Sequence, residues 1–106
     1  MTEDRWQALV ADAEGGDVRL GSMFGSQGLR TGRKFFALWW HEQLVVKLPP
    51  ARLQELVAAG HAVPFEPMEG RRMNGWVLLG EGVDWAPLTE EARTFVAAQA
   101  SSRGSP

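Results

Sequence analysis

Apolar positions recur at two different periods along the chain. Over residues 3–14, Trp6, Leu9, Val10 and Ala13 fall at i, i+3, i+4 and i+7, the spacing of one helical face. Thr2 is a candidate N-cap, Glu3 and Asp4 suit the positive end of the helix dipole, and Gly15-Gly16 ends the helix. From Asp17 to Leu48 the period changes to two, with turn residues at Gly25–Gly28, Thr31-Gly32 and His41-Glu42, which predicts a three-stranded meander. Pro49-Pro50 closes the last of these strands and opens a second helix over residues 50–59, with Leu53, Leu56 and Val57 as its apolar stripe and Gly60 as its stop. A short extended piece at Val63–Glu66 and a longer strand at Arg72–Leu79 follow. Thr89 then reads as the N-cap of a third helix whose stripe is Ala92, Phe95, Val96 and Gln99.

Short hairpin links make the first three strands antiparallel. The expected fold is therefore α+β in two layers, an antiparallel sheet with helices on one side, in the order α-β-β-β-α-β-β-α. Residues 1–100 form a single domain in this reading. The last six, "SSRGSP", have nothing to bury and are expected to be a disordered tail.

The stretch "KFFALWW", residues 34–40, departs from simple alternation because six apolar residues follow Lys34 without a break. With His41-Glu42 as a two-residue turn, Trp39 faces Leu44, Ala37 faces Val46 and Phe35 faces Leu48 across the ladder. All six are apolar, so this side is assigned to the helices. A three-residue loop at Arg30–Gly32, with Gly32 left-handed, brings Leu29 to the same side. The opposite side then holds Phe36, Leu38, Trp40, Gln43, Val45 and Lys47, four of them apolar. Either another part of the chain covers that side or a partner does. Contiguous apolar patches above a few hundred Å² are uncommon on monomers. Phe36, Leu38, Trp40, Val45 and Lys47 are accordingly the candidate contacts for a protein partner or a second copy of the chain.

Composition narrows the chemistry. At 106 residues with net charge −2 and a pI of about 5.6, the chain lacks the basic footprint of a dedicated nucleic-acid binder. It has no cysteine, which removes disulfides, thiol nucleophiles and thiolate metal sites. No apolar run approaches the ~20 residues of a membrane helix, and the acidic start is not a secretory signal. A cytoplasmic location is the expectation. The two histidines, His41 and His61, are 20 positions apart, which is not a metal-ligand spacing. "GSMFGSQG" has neither a nucleophile elbow nor a phosphate loop, so Gly25 and Gly28 are read as a bulge or bend. Glu66, Glu69, Glu81 and Asp84 lie in loop-like stretches without a defined pairing. No catalytic, cofactor-binding or metal-binding residue is assigned, no cofactor is expected, and the chain is read as a non-enzyme. Two basic clusters remain: Arg30, Arg33 and Lys34 at one hairpin, and Arg71-Arg72. The first could make weak contacts with DNA phosphates.

An ordered set of short motifs adds a family. "MFG" at 23–25, "GL" at 28–29, "FAL" at 36–38, "KL" at 47–48, Glu55-Leu56 with Gly60, "PFEP" at 64–67, Met73 with Trp76, and "EEA" at 90–92 occur in sequence. Together they resemble the N-terminal domain of the TfoX/Sxy competence regulators over roughly residues 5–98. The resemblance implies a secretion-chaperone-like α/β fold, a bacterial protein and a role beside a transcription activator without a catalytic site. The chain departs from those regulators in having no tyrosine and in ending after the third helix, so a stand-alone domain is expected. The functional expectation is a protein-interaction or regulatory module. A transcription-associated protein touching DNA through the basic hairpin comes second, and a small-molecule or enzymatic role third.

Overall fold

The computed structural model describes residues 2–23, 25–66, 70, 75–80 and 82–103. Nine elements follow one another: α1 (Thr2–Ala13), β1 (Val18–Met23), β2 (Ser26–Thr31), β3 (Lys34–Trp40), β4 (Gln43–Lys47), α2 (Pro50–Ala58), β5 (Ala62–Pro64), β6 (Trp76–Leu79) and α3 (Trp85–Arg103). The expected α+β class is correct. Residues 17–31 supply two strands where one was expected, because Gly25, at φ 74°, turns the chain back on itself. The sheet order is β1-β2-β3-β4-β6-β5, with every described pairing antiparallel. After β4, α2 carries the chain past the sheet, β5 becomes the outer edge, and β6 returns between β4 and β5. That edge is short and contains Pro64, two features that discourage strand addition.

All three helices pack on one face. Trp6 and Leu9 of α1, Leu56 of α2, and Trp85, Leu88, Ala92 and Val96 of α3 share one buried cluster with Leu29, Ala37, Leu44, Val46, Leu48, Val77 and Leu79 of the sheet side. Trp39 joins the layers. Its ring stacks on Trp6 with centroids 5.6 Å apart and meets Trp85 edge-on at 5.9 Å. The Trp6 indole N–H donates to Gln27 Oε1 at 2.7 Å, so this buried donor is satisfied. Arg5 lies over the Trp85 ring at 3.7 Å and donates to the Val83 carbonyl. Arg52 of α2 donates from Nε to both carboxylate oxygens of Glu91 and from Nη1 to Glu55, tying α2 to α3.

Helix ends show where periodicity was a partial guide. Gly15 (φ 138°) and Gly60 (φ 79°) stop α1 and α2 as expected. Val57 is exposed rather than buried, so the α2 stripe is narrower, resting on Leu56 and partly on Leu53. α3 begins at Trp85, not after Thr89. Thr89 lies inside the helix, where its hydroxyl donates to the Trp85 carbonyl at 2.8 Å and is satisfied by back-bonding instead of capping. The helix also continues through Arg103, into the expected tail. Residues 104–106, Arg71-Arg72, Glu69, Glu81 and the first part of the strand expected from Arg72 lie outside the described residues.

Register differs from expectation at one place. Trp39 pairs with Leu44 and Ala37 with Val46, as the His41-Glu42 turn requires. Both turn residues have positive φ, 48° and 63°, the requirement of a type I′ hairpin. The β2–β3 turn is tighter than expected: Thr31 pairs with Lys34 around Gly32-Arg33, with Gly32 left-handed at φ 61°. Leu29 pairs with Ala37 but Arg30 pairs with Phe35, so Phe36 is an extra residue in β3. This bulge reverses the assignment of the two phenylalanines. Phe36 is 0% exposed within the helix-side cluster, and Phe35 moves to the opposite face.

The bulge explains Gly28, which is neither bulge nor bend. Phe35 lies across Gly28 and Gly21 of the neighbouring strands. A Cβ at Gly28 would stand 2.9 Å from the Ala37 carbonyl oxygen, the Leu38 side chain and the Phe35 ring. A backbone oxygen cannot step aside like a side-chain end. Gly28→Ala is expected to cost about 1–3 kcal/mol, as overpacking does. Urea unfolding monitored by tryptophan fluorescence checks it; no loss of stability would refute the close approach.

Candidate functional site

The sheet face away from the helices carries the features that the elements above leave for function. Its centre is closed by the chain itself. Leu38 and Val45 pair across β3 and β4, and Leu78 of β6 pairs with Val45 and with Val63 of β5. Phe65, just after β5, is fixed by its backbone N–H to the Trp76 carbonyl and meets the Trp40 ring edge-on at 5.4 Å. Leu38, Val45, Phe65 and Trp76 thereby form a second buried cluster, with Phe35, Trp40 and Leu78 packed at its rim.

The five expected partner contacts are separated by this arrangement. Phe36 is on the helix side, moved there by the bulge, and cannot face a partner on the opposite side. Leu38 and Val45 are 0% exposed in the single chain and offer no surface. Trp40 and Lys47 are on the face and partly exposed. Sequence reasoning missed Phe65, Val63 and Leu78. Phe65 falls in the short extended piece expected at Val63–Glu66, and nothing local shows that it folds back over β4.

What remains open is a strip at the β5 side. Trp40, Gln43, Val63, Phe65 and Leu78 border a shallow depression of about 280 Å³ that also touches Glu66. Val63 is 53% exposed and lines this depression with Trp40 and Leu78.

Charge is distributed unevenly between the layers. The described strands and the two turns that join β2 to β3 and β3 to β4 carry Arg19, Arg30, Arg33, Lys34 and Lys47 against Glu42 alone. The helices carry Glu3, Asp4, Asp12, Glu55, Glu90 and Glu91 against four arginines. Glu90 is paired with Arg93, whose hydrogen bond holds its carboxyl below the ordinary value. Of the three cations expected to cluster, Arg30 lies on the face away from the helices and donates to the Gly32 carbonyl. Arg33 is exposed at the tip, and Lys34 pairs with Thr31 on the helix side. The hairpin brings them near one another in sequence but does not aim them at one surface.

Among the described residues, no group of three or more His, Asp or Glu side chains could hold a metal ion. Among the same residues, no helix is long and apolar enough to cross a membrane. Compared with known families, the chain matches the TfoX N-terminal domain over residues 9–93, from α1 into α3. No curated protein and no solved structure matches it.

Proposed function

The chain belongs to the TfoX N-terminal domain family, and from that membership we propose a non-catalytic regulatory module that binds a protein partner or a second copy of itself. The observation that carries this reading is the apolar strip of Trp40, Leu78 and Val63 beside a face whose centre is already packed. Aromatic side chains at the rim of a shallow depression are common anchors of interfaces. The depression is open to solvent, unlike an enclosed ligand site. Family membership also supports a bacterial, cytoplasmic, transcription-associated setting for the partner.

Site-specific photo-crosslinking tests the reading. A crosslinking residue replaces Val63 in one protein and Ala98, exposed on α3, in another. The expected product forms from position 63 and not from 98, and Trp40→Ala abolishes it. Its mass, with light scattering on the purified chain, separates a homodimer from a different protein. Equal products from both positions, or none from 63, would overturn the proposal.

A further inference from the structure

One end of the sheet face away from the helices concentrates positive charge. Arg19 of β1 pairs directly with Arg30 of β2, and Arg30 pairs with Phe35 of β3. Lys47 of β4 lies one rung beyond the Ala37–Val46 pair, beside the bulge, and pairs with Trp76. The row across four strands thus reads Arg19, Arg30, Phe35, Lys47, with exposed Arg33 at the adjoining hairpin tip. Like charges directly opposite one another on a sheet destabilise it. Yet among the described residues none of Arg19, Arg30, Arg33 and Lys47 forms an ion pair. The helical carboxylates are on the other side of the sheet, in a molecule 25 Å across its shortest axis. A Debye length of about 8 Å at physiological salt keeps the two layers from cancelling.

We propose that this row binds single-stranded nucleic acid, the cations following the phosphates and the partly exposed Phe35 ring offering a surface for a base. Sheet faces that combine cations with aromatic rings hold single strands in this way, because splayed bases stack on the rings while the backbone meets the charges. An acidic peptide would use the arginines but not the ring among them. A duplex would reach a flat face with its phosphates only, its bases remaining stacked inside. The site is independent of the protein-binding strip at the β5 side. It also differs from a hairpin-only contact by enlisting Arg19 and Lys47 and omitting Lys34.

Fluorescence anisotropy with a labelled oligothymidylate of about 16 nucleotides provides the test. Each cation that neutralises a phosphate contributes about −0.7 to the slope of log K against log salt. Combining Arg19→Gln, Arg30→Gln and Lys47→Gln should therefore flatten the slope by about 2, while Arg52→Gln on α2 leaves it unchanged. Phe35→Leu should weaken binding by about fivefold or more with the slope intact. Circular dichroism confirms folding. If losing the Arg30–Gly32 bond unfolds the triple variant, the Arg19→Gln/Lys47→Gln pair flattens the slope by about 1.4 instead. An unchanged slope, equal competition by polyglutamate, or tighter binding of the corresponding duplex would each overturn the proposal.

Discussion

Val45→Glu is expected to unfold the protein or nearly so, and not to release a folded monomer from a complex. Val45 is 0% exposed, between Leu38 on β3 and Leu78 on β6. Leaving an uncompensated charge in such a place costs about 3–5 kcal/mol, a large part of the 5–15 kcal/mol that holds a domain together. Burial raises the folded-state pKa of this glutamate above its unfolded value of about 4.3. The penalty is therefore least below that pH, grows as pH rises through it, and levels off above the folded pKa. Urea titrations at acid and neutral pH measure this directly. A folded variant of wild-type stability at neutral pH would mean that Val45 is a surface residue and that Phe65 does not close the face.

The second large effect separates adjacent phenylalanines. Phe36→Ala should cost about 3–5 kcal/mol, the range for a fully buried phenylalanine. Phe35→Ala should cost less by at least about 1 kcal/mol, because its ring is partly exposed and its loss opens the surface rather than a closed cavity. Strict alternation gives the opposite order, with Phe35 against the helices. Equilibrium unfolding of both variants decides it, since their composition is identical and only the bulge distinguishes them. Equal costs, or a larger cost at Phe35, would place the β2–β3 register without a bulge.

The family matters for how these effects are read. The match covers residues 9–93 and so includes the bulge, the Phe65 closure and the Trp39–Trp85 contact, while Trp6 lies before it. The exposed strip and the cationic row occupy different ends of one face. The two proposed sites therefore do not overlap.

Sequence alone determined α1, α2 and most strands, because their signals are local, whereas the start of α3 at Trp85 was not marked by its Thr89 signal. The i, i+3, i+4 stripe of Trp6, Leu9 and Val10 needs no partner to be recognised, and proline or glycine marks the ends of α1 and α2. The His41-Glu42 turn fixed the register of Trp39 and Ala37 for the same reason: a two-residue loop leaves one pairing. Motif order along the chain was enough to indicate the family. Tertiary structure alone decided which face each aromatic of "KFFALWW" occupies and what covers it. A bulge arises from the competition of two strands for one register, and inserting a single residue sends Phe36 to the opposite face with no mark in β3 itself. Phe65 is 20 positions from Val45, and their contact depends on β5 and β6 reversing order at the sheet edge. The charge row is likewise a product of pairing. Arg19, Arg30 and Lys47 are scattered in sequence and share one face because antiparallel strands present alternate side chains to it.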